Sequence, residues 1–137
     1  MTYFDTSALM KLVREEAETE ALIDWLREHG DEPPVTSTLT CVELVRAARR
    51  SRVRHAVDNA RHVLGSIDTV PIDDSVIIEA QAVGDDSLRS LDAIHLATAL
   101  TTSATDSLVT YDSQLIVVAG RLGLDVESPG AENPARV

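Results

Sequence analysis

The stretch Thr2-Tyr3-Phe4-Asp5-Thr6-Ser7-Ala8-Leu9-Met10-Lys11-Leu12-Val13 changes character in its middle. Thr2 to Asp5 is short, apolar and aromatic, which suits a strand. From Ser7 to Val13 the pattern is helical. A strand that passes almost directly into a helix sets an alternation, and the rest of the chain can be read against it.

The alternation continues. A helix is expected from about Glu18 to His29, with Ala21, Leu22, Trp25 and Leu26 along one face, stopped by Gly30 and the Pro33-Pro34 loop. Val35-Thr36-Ser37 reads as a second strand. Ser37 or Thr38 caps a helix through Leu39, Val42, Leu44 and Val45 that runs toward Arg50. A further helix is expected from about Val53 to Leu64, ending at Gly65. Ile67 to Ile72, with Pro71 near its end, reads as the third strand. Asp73 or Asp74 then caps a helix through Val76, Ile77, Ala80 and Val83 that stops at Gly84. Ser90 is expected to cap a helix through Leu91, Ile94, Leu96, Ala97 and Leu100. Ser107 to Thr110 is the fourth strand, Asp112 opens a helix closed by Gly120 or Gly123, and Leu124 to Val126 is a short fifth strand. The segment from Ser128 is rich in Pro, Gly and polar residues and is expected to be disordered. Strands alternating with helices imply an α/β fold with a mainly parallel sheet.

The 137 residues suit one domain. At 3% aromatic residues, a core of Leu, Val, Ile and Ala is expected, and a stacking platform for single-stranded bases is disfavoured. The one cysteine, Cys41, excludes an internal disulfide and a cysteine zinc cluster. Asp5, Lys11 and Arg14 interrupt the N-terminal apolar run as no signal peptide would, and no stretch nears the ~20 apolar residues of a membrane span. A cytoplasmic protein is expected. The net charge of −11 argues by itself against a nucleic-acid binder. Acidic residues gathered at one place can instead hold cations, and an acidic chain favours a basic partner.

In an open parallel sheet, ligands sit beyond the C-terminal ends of the strands. Asp5 ends the first strand and Asp112 closely follows the fourth. Glu43 lies about a turn into the helix leaving the second strand, and Asp92 lies in the first turn of the helix feeding the fourth. All four carboxylates are therefore expected at one edge. Like charges so placed repel unless cations occupy the site. Hard oxygen donors suit Mg²⁺ or Mn²⁺. Such ions activate water and can stabilise the attacking and leaving oxygens of a phosphodiester. Each residue also has a plainer reading: Asp5 and Asp112 as helix caps, Glu43 and Asp92 as solvated helix positions.

Tyr3-Phe4-Asp5-Thr6-Ser7-Ala8-Leu9 resembles the opening strand motif of PIN domains. Val42-Glu43-Leu44 resembles their second acidic motif, and Ser90-Leu91-Asp92-Ala93-Ile94-His95-Leu96-Ala97-Thr98-Ala99 their most recognisable segment. Val109-Thr110-Tyr111-Asp112-Ser113-Gln114-Leu115 matches the last motif. The motifs stand in family order across residues 1 to 127, the expected domain, leaving 128 to 137 as a tail. The likeness is to the VapC-type ribonuclease toxins. It implies a PIN-like three-layer α/β/α domain of about five strands, metal-dependent RNA cleavage and a homodimer. It also implies a cognate antitoxin that occludes the site, with a higher toxin–antitoxin assembly open to it. Carried over by residue, Asp5, Glu43, Asp92 and Asp112 form the acidic set, with Asp5 and Asp92 the leading direct ligands of Mg²⁺ or Mn²⁺. Ser7 and Thr110 either orient a carboxylate or a bound water, or serve as local caps.

Arg46, Arg49 and Arg50 begin one turn after Glu43, with Arg52, Arg54 and His55 close behind. They read either as an RNA backbone track or as a solvated face favoured at a helix C-terminus. His95 lies three residues after Asp92 and reads either as a metal ligand or general acid or, chiefly, as packing within its helix. The main rival function is a catalytically inactive PIN-like binding module, which metal-dependent nuclease activity would separate. An adhesion-type metal site would want a hydroxyl where Leu9 stands. A dehalogenase-like phosphatase would want an Asp where Ser7 stands, and a phospho-receiver a late lysine.

Overall fold

The computed structural model describes residues 1–131. Its five strands are β1 (Thr2–Phe4), β2 (Pro34–Ser37), β3 (Asp68–Val70), β4 (Ser107–Val109) and β5 (Asp125–Glu127). They pair in the order β3-β2-β1-β4-β5, and every pairing is parallel. Tyr3 stands level with Val35 on one side and Leu108 on the other, so β1 is the centre of the sheet. The helices are α1 (Thr6–Val13), α2 (Thr19–Glu28), α3 (Thr38–Ser51), α4 (Ala56–Gly65), α5 (Asp74–Ala82), α6 (Ser90–Thr101) and α7 (Ser113–Arg121). The α/β architecture expected from the alternation is the one observed.

The period of two along the strands divides the apolar residues between two cores. Tyr3, Val35, Leu108 and Val126 face one layer, where they meet Ala93, Leu96 and Ala99 of α6 and Leu115 and Ala119 of α7. Phe4 and Val109 face the other, against Ala8 and Leu9 of α1, Leu22 of α2, Leu44 and Ala48 of α3, and Ala56 and Ala60 of α4. The chain lays α1 to α4 on one face while it builds outward from β1 to β3. It then crosses back on the opposite face to place β4 beside β1. The cleft between β1 and β4 is thus where the winding reverses, the usual place for a ligand site in such sheets.

Polar residues at strand ends start four of the helices. Asp5, Ser37, Asp73 and Asp112 accept from the backbone N–H groups of Ala8, Leu39, Val76 and Leu115, at 3.0, 3.1, 2.9 and 2.9 Å. Each such cap contributes about 1 kcal/mol.

Three local expectations need correcting. The cap position of α6 is Arg89, which makes no side-chain capping bond, and Ser90 is the first helical residue. α4 begins at Ala56 and not near Val53, because Arg52 and His55 take left-handed conformations (φ 55° and 64°) that interrupt the helical path. The disordered tail expected from Ser128 does not describe its first four residues. Ser128 is buried and its Oγ donates to the Thr110 carbonyl at 2.6 Å, while the Tyr111 hydroxyl donates to the Pro129 carbonyl at 2.8 Å. Gly130 turns with φ +82°, close against Ala21 of α2. The remainder of that tail, 132–137, lies outside the described residues. Among the described residues no helix is long and apolar enough to cross a membrane.

Candidate active site

Asp5 follows β1 directly and is only 3% exposed. Its Oδ1 accepts from the Ala8 amide and from Ser7 Oγ at 2.7 Å, and its Oδ2 accepts from Thr110 Oγ1 at 2.6 Å. Ser7 and Thr110 therefore both orient the Asp5 carboxyl. Their own placement is secured in turn: Ser7 Oγ accepts from the Tyr111 amide at 2.9 Å, and Thr110 Oγ1 from the Asp112 amide at 3.1 Å. These bonds tie the end of β1 to the end of β4. Burial pushes the Asp5 carboxyl up, against the downward pull of the nearby His95 and of its three donors.

Asp92 stands in the first turn of α6. Burial raises its carboxyl, and the negative charges of Asp112 and then Asp5 raise it further, opposed by His95 and Arg89. Asp5, Asp92 and Asp112 thus share one electrostatic neighbourhood at the reversal point of the sheet. Asp112 caps α7 through Oδ1. The capping reading and the site reading therefore describe the same two residues, Asp5 and Asp112, rather than excluding each other.

Glu43 joins this group by a different route. Its Oε1 accepts from Thr6 Oγ1 at 2.7 Å and lies 2.6 Å from His95 Nε2. Burial works upward on the Glu43 carboxyl, but the bonds from His95 and Thr6 outweigh it and hold the group below the ordinary range. His95 is 2% exposed. Burial works downward on its imidazole, and the Glu43 bond and the charge of Asp5 more than offset it, so its proton affinity is raised.

The donor chemistry fits a hard divalent cation. It is all carboxylate oxygen, and it carries mutual repulsion that a cation would relieve. Among the described residues no three His, Cys, Asp or Glu side chains already stand in ligating geometry.

Arg46, Arg49 and Arg50 are exposed on the later turns of α3, and with Arg52 they line a cleft of roughly 370 Å³. None of the four forms a salt bridge among the described residues, whereas Lys11 is held by Glu16 and Glu18 at 3.2 and 2.9 Å.

A sequence model described as the PIN domain matches residues 2–121. The chain belongs to the PIN-domain family. This PIN domain is 44% identical over 133 residues to Ribonuclease VapC35 of Mycobacterium tuberculosis, covering 95% of this chain and 98% of that protein. It is 41% identical over 134 residues to Ribonuclease VapC47 of the same species, covering 96% and 98%. In fold it resembles a toxin–antitoxin complex from Klebsiella pneumoniae with a TM-score of 0.69, at 23% identity over 94% of this chain and 98% of that one. It also resembles VapBC2 from Rickettsia felis bound to a promoter DNA fragment, with a TM-score of 0.66, at 12% identity over 93% and 98%. The resemblance read from the four motifs is thereby established.

Sequence reading of this PIN domain did not single out Thr6 or Tyr3, nor the bond between His95 and Glu43. The signal for Thr6 was its place between Asp5 and Ser7. Once Asp5 is assigned to the edge, its neighbour points from that edge toward the next helix. His95 carried a signal in its spacing from Asp92, but its partner Glu43 lies on an element that periodicity alone does not bring near.

Proposed function

We propose that this PIN domain is a divalent-metal-dependent endoribonuclease and the toxin of a toxin–antitoxin pair. The observation that carries the reading is that Asp5 at the end of β1 and Asp112 at the end of β4 are joined through Thr110, whose hydroxyl donates to Asp5 Oδ2 at 2.6 Å and accepts from the Asp112 amide at 3.1 Å, with the Asp92 carboxyl raised by burial and by the charges of both. Repulsion of this kind is costly in the free protein and becomes useful when a cation binds. The ribonuclease names of its relatives at 41–44% identity supply the substrate class.

In this reading Asp5, Asp92 and Asp112 hold Mg²⁺ or Mn²⁺, with Glu43 completing the acidic set. The ion, when bound, supplies charge stabilisation at the phosphoryl oxygens and an activated water. Ser7 and Thr110 keep the Asp5 carboxyl in one orientation by donating to its two oxygens. Arg46, Arg49 and Arg50 bind RNA phosphates along the cleft they share with Arg52. The partner is an antitoxin whose basic segment enters the acidic edge, where arginine can pair with carboxylates. The active form is a homodimer, and the toxin–antitoxin complex can assemble further.

The test is cleavage of a single-stranded RNA by the purified, antitoxin-free chain. Cleavage is expected with Mg²⁺ or Mn²⁺ and is expected to stop with EDTA. Undiminished cleavage after rigorous metal removal would overturn the mechanism. A folded chain that cleaves no RNA with either metal would favour an inactive binding module, in which Asp5 and Asp112 serve only as caps.

A further inference from the structure

The Tyr3 hydroxyl lies 2.7 Å from His95 Nδ1, and His95 Nε2 lies 2.6 Å from Glu43 Oε1. Tyr3 is 0% exposed and His95 is 2% exposed, so solvent is kept from the bond between them, while the Glu43 end of the chain is part-buried. A chain of two hydrogen bonds thus runs from the buried centre of the sheet to an acidic side chain at its edge. Nothing in the carboxylate chemistry alone requires it.

The roles along the chain follow from donor and acceptor capacity. An ionised carboxylate only accepts, so the 2.6 Å approach of Glu43 Oε1 requires a proton on His95 Nε2. That holds whether the ring is neutral or charged. In the neutral ring Nδ1 is then bare and accepts the Tyr3 proton. In the charged ring Nδ1 donates to the Tyr3 oxygen. Both states leave Nε2–H aimed at Glu43, and only the opposite tautomer would set two lone pairs against each other.

Thr6 Oγ1 donates to the same Glu43 oxygen at 2.7 Å. Oε1 therefore takes two donors from two different elements, the start of α1 and the middle of α6. A glutamate has three side-chain torsions to settle, and these two donors, themselves 3.4 Å apart, hold one oxygen of it between them. What remains to the site is Oε2.

We infer that Tyr3, His95 and Thr6 form a positioning relay that anchors Glu43 by Oε1 and presents Oε2 alone to the metal site. The inference rests on the proposal that Glu43 belongs to that site. His95 and Thr6 are positioning residues in this scheme, and Tyr3 sets the ring that does the positioning. Partners of this kind behind a metal-site residue commonly control affinity by about 10–100-fold.

Two measurements on the purified full chain test the relay. The first is ¹⁵N NMR of the His95 ring in the metal-free protein, which expects a proton on Nε2. A bare Nε2 would overturn the inference without reference to any metal. The second is Mn²⁺ binding, followed by electron paramagnetic resonance, in the wild type and in Thr6→Val, Tyr3→Phe, His95→Leu and His95→Gln. Thr6→Val and His95→Leu are expected to weaken Mn²⁺ by about 10–100-fold. Tyr3→Phe should weaken it less, and His95→Gln should recover part of the loss because its amide can still donate to Glu43. Thr6 is only part-buried, so its near-isosteric replacement keeps the test open if His95→Leu fails to fold. Wild-type Mn²⁺ affinity in a folded Thr6→Val and in Tyr3→Phe would overturn the relay. A wild-type protein that takes up no Mn²⁺ would instead overturn the nuclease reading, and the nitrogen spectrum would still decide the relay.

Discussion

Asp92 carries opposite consequences for stability and for activity. Its carboxyl holds its proton to higher pH in the folded chain than in the unfolded one, through burial and the charge of Asp112. As pH rises above the ordinary aspartate value, the unfolded chain ionises first, and folding is penalised through that window. At neutral pH the ionised Asp92 of the metal-free protein is therefore a liability. Asp92→Asn should raise the thermal midpoint of the metal-free chain by a few degrees at pH 7 and change little in strong acid. On the proposed metal mechanism, Mg²⁺ should stabilise the wild type, and the same variant should lose both that stabilisation and RNA cleavage. Calorimetry with and without Mg²⁺ checks both, and a variant that melts lower than wild type at pH 7 would refute the sign. Asp5 and Asp112 were legible in the sequence because each sits where a strand gives way to a helix. Tyr3 and Thr6 were not. A tyrosine in a buried strand and a threonine at a helix start are ordinary, and their meaning depends on Glu43 and His95 arriving from α3 and α6.

At the scale of elements, the strand-to-helix boundaries were the most readable features, since Ser37, Asp73 and Asp112 all cap the helices expected of them. Boundaries set by backbone conformation rather than by a capping side chain were harder. Arg52 and His55 adopt left-handed φ values that residues other than glycine seldom take, so the late start of α4 had no compositional sign. The segment after β5 misled for a related reason. Its Pro-Gly composition suits a loose tail, yet Ser128 and Pro129 bond to the residues following β4, and Gly130 turns against α2. A Cβ at Gly130 would lie 2.7 Å from the Ala21 Cβ, at a φ that side chains disfavour. Gly130→Ala should destabilise the chain by about 1–3 kcal/mol. A urea titration should show a lower midpoint with an unchanged slope. An unchanged midpoint would mean that this segment contributes nothing to the fold.

Over the whole molecule, a net charge of −11 repels RNA at a distance, and Arg46, Arg49, Arg50 and Arg52 gather the opposite charge into one cleft. If these arginines meet phosphates, they set a local, salt-sensitive attraction against a general repulsion. Replacing Arg46, Arg49 and Arg50 by Gln should weaken RNA binding. It should also flatten the log–log salt dependence by about 0.7 for each phosphate that is no longer neutralised, or about 2 if each arginine neutralises one. An unchanged slope would return them to a solvated helix face. The parallel order of the sheet was legible from the alternation, but the reversal beside β1 was not. Sequence order does not say on which side of the first strand the fourth will pair. That reversal leaves two helical layers with separate cores, and the bond from His95 on α6 to Glu43 on α3 passes over the strand ends to join them. Opening either layer must break that bond. Amide hydrogens near Glu43 on α3 and near His95 on α6 are therefore expected to exchange with solvent together, although the sheet stands between the two helices.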